Sequence, residues 1–482
     1  MASAALSGQQ IKNVAVADSE NTEETTTENT VTVTTPALAI IKEVNKTAFS
    51  SSETARYTLK VSQTVENAVA KNVVITDAFD NENISKPSNI KITDAKGEEV
   101  SSADINVSET GFTINTHSDL AYEEFFTVTY TVNLSNPALA GATVNNIANA
   151  VADNAEQVED NATITIGKPN LEIVKTSNKD LYGTDEHANY TIKVTQTVQD
   201  ATALNVVVSD IFDNDKVSII EKTIKVKDKD GNEITSAQIE KTEKGYVIKT
   251  FTNLEYNESL TITYTANLAN DELAGKEVKN TATATSDNTP EKTVDKIIKI
   301  VAPILSIEKT SDQAAYLLGS TAKYTVKVTQ TVENAIAKEV SITDLLSNEK
   351  AKILKDTIKI TDTKGNEISG VEIRTTDDSY QILTHKNLAY NEQFIITYSV
   401  DLKDASLNNT DVINTATALS KTTETVKTEH TVKVSDNKSV VNKINTDAKV
   451  QTGNNLPIAL FAFVAILSLI GIGASVAIRK KK

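Results

Sequence analysis

The 482 residues predict an all-β chain: three tandem antiparallel β-sandwich domains followed by a C-terminal transmembrane helix. Three observations predict it. Short runs rich in Val, Ile, Thr and Tyr alternate with polar turns, the composition of half-buried strands. The repeated region shows no amphipathic helical pattern. Finally, one ordered set of polar residues recurs three times in constant register, which makes the chain a tandem array.

The set begins with a lysine. It closes Leu38-Ala39-Ile40-Ile41-Lys42, Leu171-Glu172-Ile173-Val174-Lys175 and Leu305-Ser306-Ile307-Glu308-Lys309. The lysines are 133 and then 134 residues apart. An aspartate ends each of Val73-Val74-Ile75-Thr76-Asp77, Val206-Val207-Val208-Ser209-Asp210 and Val340-Ser341-Ile342-Thr343-Asp344. An asparagine comes late, in Asn146-Ile147-Ala148, Asn280-Thr281-Ala282 and Asn414-Thr415-Ala416. Side chains alternate faces along a strand, so each of these polar residues shares a face with apolar neighbours two positions away. Each copy therefore aims Lys, Asp and Asn at a core, where unpaired charge is costly.

Between these markers the strands follow in order. Tyr57 to Val61, Tyr190 to Val194 and Tyr324 to Val328 come next, then a Gln-Thr-Val segment led by Gln63, Gln196 or Gln330. A mid-copy hairpin turns at Lys96-Gly97, and a later strand ends at Tyr130, Tyr264 or Tyr398. The domain bounds that follow are 36–168, 169–301 and 302–435, joined at Gly167-Lys168-Pro169 and Val301-Ala302-Pro303; such short links favour a semi-rigid rod. Residues 1–35 read as a truncated signal segment and a disordered, Thr- and Glu-rich lead-in, with Ala15-Val16-Ala17 placed like a cleavage site. Residues 436–455 read as an irregular spacer.

Composition excludes several classes. The net charge is −17, without the basic patch a nucleic-acid binder needs. Cysteine is absent, which removes disulfides and thiolate metal sites. Asp228-Lys229-Asp230-Gly231-Asn232-Glu233 imitates a calcium loop, but its counterparts at Asp94 and Asp362 lack the second aspartate, so a β-turn is the reading. His117 and His385 share a repeat position that Phe251 fills in the second copy, which argues against a catalytic histidine. No cofactor, metal site or turnover chemistry is expected.

The C-terminus carries the targeting signal. Leu456 to Ile478 is apolar, uncharged and long enough to span a bilayer, and Arg479-Lys480-Lys481-Lys482 should stay cytoplasmic. Gln451-Thr452-Gly453 before this span resembles the sorting signal of Gram-positive wall proteins, with Lys449 and Val450 in place of the Leu and Pro of Leu-Pro-x-Thr-Gly. The resemblance implies a sortase cutting between Thr452 and Gly453 and joining Thr452 to peptidoglycan. A plain membrane anchor is the alternative.

The inward triad admits three readings. In one, a neutral lysine amine attacks the asparagine carboxamide, ammonia leaves, and a protonated aspartate assists; burial lowers a lysine pKa and raises an aspartate pKa together. In the second, Lys and Asp are a buried ion pair hydrogen-bonded to Asn. In the third, the lysine lies at an edge and is solvated. The triad and its order resemble the isopeptide-forming, immunoglobulin-like domains of Gram-positive fimbrial and surface proteins, close to the aspartate-assisted class of collagen adhesins. That resemblance implies the bonds Lys42–Asn146, Lys175–Asn280 and Lys309–Asn414, with Asp77, Asp210 and Asp344 as catalytic acids in a single-turnover reaction. It implies a wall- or membrane-anchored extracellular stalk or fimbrial subunit, and host, matrix or other fimbrial components as partners. A ligand-binding adhesin with non-covalent Lys–Asp pairs is the rival function.

Overall fold

Strict alternation of apolar and polar residues builds the strands. In Thr54–Gln63 the odd-numbered residues Ala55, Tyr57, Leu59, Val61 and Gln63 are all buried, while their neighbours face outward. The same period of two runs through Phe125–Asn133 and Thr143–Ala152. A computed structural model of the chain describes residue 6 and residues 8–454.

Residues 10–32 form a hairpin of β1 (Gln10–Ser19) and β2 (Thr22–Thr32), paired from Gln10↔Thr32 to Ser19↔Thr22. Composition predicts a disordered lead-in over 18–35. The β-branched run of Thr and Val pairs instead, with Ser19 Oγ donating to Asn21 at the turn. Every residue of both strands is exposed, so the hairpin stands on its backbone ladder and has no core.

The first repeat has strands β3 (Leu38–Val44), β4 (Ala48–Phe49), β5 (Thr54–Gln63), β6 (Val69–Ala70), β7 (Val74–Phe79), β8 (Ser88–Thr93), β9 (Asp104–Val107), β10 (Gly111–Asn115), β11 (Leu120–Ala121), β12 (Phe125–Asn133), β13 (Thr143–Ala152) and β14 (Ala155–Ile166). A four-stranded sheet has the order β3-β5-β12-β8, and a six-stranded sheet the order β4-β14-β13-β7-β10-β9. Short β6 and β11 pair separately. One continuous core joins residues of both sheets, including Tyr57, Leu59, Ile75, Ile114, Val128 and Ala148. The later repeats carry the two main sheets in the same orders, apart from a fifth strand, Lys225–Lys227, in the smaller sheet of the second, and single bridges, Ala203↔Leu254 and Ala337↔Leu388, stand where β6 and β11 pair.

The chain forms two compact units. One takes in the described residues up to Asn178 with Ala188–Asn267 and Val278–Ile297; the other takes in Lys179–His187, Leu268–Glu277 and the described residues from Ile298 on. The first two lysine-aspartate-asparagine sets lie in the former and the third set in the latter.

Beyond Ser435 the chain is helical where a spacer is expected. Helix α1 (Lys438–Asn454) starts with Asn437 Oδ1 accepting from the Ser439 amide. Its Asn445 carboxamide accepts from the Ala314 and Ala315 amides at 3.0 and 2.8 Å and donates to Ala315 O at 2.9 Å. That tie to the third repeat, with the buried Val441, gives the otherwise polar segment a reason to be helical. Thr452 and Gly453 fall in the last turn of α1. The proposed membrane span, 456–478, and the basic tail lie outside the described residues. Among the described residues no helix is long and apolar enough to cross a membrane.

The Gly-containing hairpin turns are closed by aspartate. Asp228 Oδ1 accepts from the Asp230 and Asn232 amides at 2.9 and 2.8 Å, and Asp94 and Asp362 do the same in their copies. Gly97, Gly231 and Gly365 hold φ values of +82° to +86°, the left-handed conformation such turns demand.

Candidate functional site

Each repeat brings its lysine, aspartate and asparagine to one place. Lys42 is on β3, the edge of the four-stranded sheet. Asp77 on β7 and Asn146 on β13 project from the facing sheet. In register Ala148 is opposite Asp77 and Asn146 opposite Phe79, so Asp77 and Asn146 are diagonal neighbours on one face. Lys42 is 6 % exposed, Asp77 3 % and Asn146 0 %. Both β3 and β14 close over the lysine: the Lys42 amide donates to Asp160 Oδ2 at 2.7 Å.

Lys42 Nζ pairs with Asp77 Oδ2, and Lys175–Asp210 and Lys309–Asp344 make the same contact. No side-chain surface of these six residues meets solvent. The edge reading, in which the lysines are solvated, is therefore overturned by the packing of β3 against the second sheet and by its counterparts.

A fourth residue completes the site. Tyr130 on β12 places its hydroxyl 3.0 Å from Lys42 Nζ, 3.0 Å from both Asp77 oxygens and 2.6 Å from Asn146 Nδ2. Tyr398 lies 2.7 Å from Lys309 Nζ, 2.9 Å from Asp344 Oδ1 and 2.6 Å from Asn414 Nδ2. Tyr264 lies 3.5 Å from Lys175 Nζ and 3.0 Å from Asp210 Oδ1, and accepts from Asn280 Nδ2. Among the described residues, Oδ1 of Asn146, Asn280 and Asn414 is buried without a hydrogen-bond partner.

Aromatic rings wall the site. Tyr57 stacks on Tyr130, Tyr190 on Tyr264 and Tyr324 on Tyr398. Phe112 meets Tyr130 edge-on in the first copy; Tyr246 and Tyr380 take its place in the others. Sequence reading counts these tyrosines as strand residues only. The signal was a tyrosine recurring on the core-facing parity, 16 positions before each asparagine.

Burial governs the charges. Desolvation outweighs the aspartate partner and lowers Lys42; it brings Lys175 and Lys309 to about 8. Desolvation likewise raises Asp77, Asp210 and Asp344, against the pull of the lysine charge and of the phenol and carboxamide hydrogen bonds. Burial and the aspartate charge push Tyr130 well above an ordinary phenol. The environment thus narrows the gap between the ion pair and a neutral amine beside a neutral acid.

The repeats differ at the rim. Asn414 lies opposite His430, whose Nε2 is 2.8 Å from Ser311 Oγ, whereas Asn146 lies opposite Ala162. The invariant Gln63, Gln196 and Gln330 play a separate part. Gln63 Nε2 donates to Val65 O at 2.8 Å and its Oε1 accepts from the Val65 amide, pinning the loop after β5. His117 and His385 sit at φ +48° and +49°, and Phe251 at +51°, so their shared position is a left-handed bend at the surface.

No protein-family model matches the chain, and no curated protein matches it. Among solved structures it is similar to the C-terminal domain of the Streptococcus agalactiae antigen I/II polypeptide BspA, at 12 % identity and TM-score 0.29 over 55 % of this chain and 100 % of that one. The C-terminal domain of the Streptococcus pyogenes antigen I/II-family protein AspA gives 11 % and 0.28 over 55 % and 99 %. The collagen adhesin of S. aureus gives 11 % and 0.20 over 54 % and 91 %. At this overlap the fold rests on the strand pairing.

Proposed function

We propose that the chain is a cell-surface structural or fimbrial stalk protein whose three immunoglobulin-like sandwiches each form an intramolecular amide, Lys42–Asn146, Lys175–Asn280 and Lys309–Asn414. The single observation behind this is the threefold convergence of a buried lysine, a buried aspartate and a buried asparagine on one phenol. A non-covalent core has little use for such a set, because burying an ion pair is seldom better than burying hydrocarbon. Asp77, Asp210 and Asp344 are the acids of the reaction, and holding amine and carboxamide together supplies the effective concentration. Domain bounds of 36–168, 169–301 and 302–435 follow. Anchoring through Thr452-Gly453 by a sortase, or by the 456–478 span alone, places the array outside the cell.

The product would tie the first strand of one sheet to a late strand of the other, so tension on the chain ends would bypass most of the hydrogen-bond ladder. That is the property a stalk needs.

The test is intact mass. Each amide releases one ammonia, about 17 Da. The folded chain should lack three such units, and Asn146→Ala, Asn280→Ala and Asn414→Ala should each restore one, after allowing for the substitution itself. An undiminished mass in folded protein would leave buried ion pairs and favour a non-covalent adhesin.

A further inference from the structure

The tyrosine hydroxyl touches every reacting partner, and the balance of donors and acceptors says what it can do. A phenol has one proton to give and two lone-pair positions. In the ion-paired state Tyr130 uses all three: it accepts from Lys42 Nζ and Asn146 Nδ2 and donates to Asp77. Moving one proton from Lys42 to Asp77 changes the pattern. The acid now has a proton to give to the phenol oxygen, which frees the phenol's own proton. The unpartnered Oδ1 of Asn146 is the acceptor waiting for it, because a half-turn of the carboxamide brings Oδ1 to the place Nδ2 holds, 2.6 Å from the hydroxyl.

We infer that Tyr130, Tyr264 and Tyr398 are catalytic residues of amide formation, each relaying the aspartic acid's proton to the asparagine carbonyl oxygen. The inference rests on the function proposed above. The Lys42 Nζ lone pair forms the bond to Cγ of Asn146. The carbonyl π pair moves onto Oδ1, which takes the Tyr130 proton, and Tyr130 takes the Asp77 proton. The attacking nitrogen then gives a proton to the Asp77 carboxylate, which passes it to Nδ2. As the C–Nδ2 bond breaks and ammonia leaves, Oδ1 returns its proton through Tyr130 to Asp77. One amine hydrogen ends on ammonia, and acid and phenol are restored. The relay stabilises charge where it develops, inside a site closed to water.

The three repeats supply the controls within one chain. Full-length protein is made in a short cell-free pulse, quenched at intervals and weighed. Tyr130→Phe keeps the ring and removes only the hydroxyl. The expected result is two ammonia losses at the wild-type rate and the first-repeat loss slowed about 10²- to 10³-fold, the size of losing one oxyanion donor. Tyr122→Phe, at an exposed tyrosine of the same repeat, should lose all three at the wild-type rate. Equal rates for Tyr130→Phe and wild type would overturn the relay while leaving the proposed function intact. No mass loss in folded wild type would overturn both. Should tryptic digestion show the first repeat of Tyr130→Phe unfolded, 3,5-difluorotyrosine at position 130 decides. It keeps the hydroxyl but makes it a stronger acid, so an altered first-repeat rate supports the relay and an unaltered one overturns it.

Discussion

Tyr57 lies flat against Tyr130, ring centroids 5.2 Å apart and planes 8° from parallel, with Lys42 Nζ 5.1 Å from the Tyr57 centroid. The ammonium is thus held against an aromatic face as well as against Asp77. Both contacts favour the charged lysine, yet burial still lowers its pKa.

The pH dependence of bond formation follows from proton counting. The ion pair and the neutral amine–acid pair carry the same number of protons, so their ratio does not change with pH. The rate should be level between the two titrations of the pair. It should fall above about 8 in the second and third repeats, where the pair loses a proton and the aspartate is left charged. It should fall again in acid, where the pair gains a proton and the lysine cannot attack. Time-resolved mass measurement across pH checks this; a rate climbing steadily past pH 9 would contradict it.

Asn280→Ala should unlink the second repeat and expose the pair's own energetics. Lys175 has a folded pKa of about 8, below its unfolded value of about 10.4. The unfolded chain then binds more protons in that window, so stability should rise as pH climbs through it. Asp210 is raised on folding, so stability should fall as pH rises from the unfolded value to the folded one. The unlinked repeat is therefore least stable between the two windows. Denaturant titration at several pH values would show a minimum there, and a maximum would refute the assignment.

Loss of the cross-link itself should be costly. The proposed Lys42–Asn146 amide would close a loop of 104 residues. By the chain-entropy relation for a cross-link of that span, Asn146→Ala should cost about 4–5 kcal/mol, read from unfolding of the first repeat.

Asp344→Ala should block the third amide and also strand Lys309 without its partner. Breaking a buried pair in this way costs about 3–5 kcal/mol. Raising the pH toward 10 should recover part of that loss, because the lysine then sheds its charge; thermal unfolding of the variant at pH 7 and pH 10 makes the comparison.

Gln196→Ala should separate scaffold from chemistry. It removes donors to Val198 O at 2.8 Å and Ala201 O at 2.6 Å. The loss of such buried hydrogen bonds costs about 1–3 kcal/mol. The mass deficit should remain, since the glutamine does not touch the lysine site.

Period-two alternation made the burial of Lys42, Asp77 and Asn146 legible in the sequence, and the threefold register showed which residues act together. Tyr130 was hidden for a physical reason. Alternation tells which face a residue takes, not which strand lies beside it, and only the pairing of β5 with β12 carries that hydroxyl to the lysine. Composition also misjudged the ends. A Thr-rich segment reads as disorder until its partner strand is known, as with Gln10–Thr32. Lys438–Asn454 reads as a spacer until Asn445 is seen bound to the backbone at Ala314 and Ala315.

Lys42 and Asn146 stand near the two ends of the first repeat and on opposite sheets. An amide between them would turn nearly the whole repeat into a closed ring with two tails. A protease cutting an exposed turn such as Lys96-Gly97 would then open the ring without releasing a fragment. Such a repeat could be nicked in a hostile medium and still hold whatever is attached at either end.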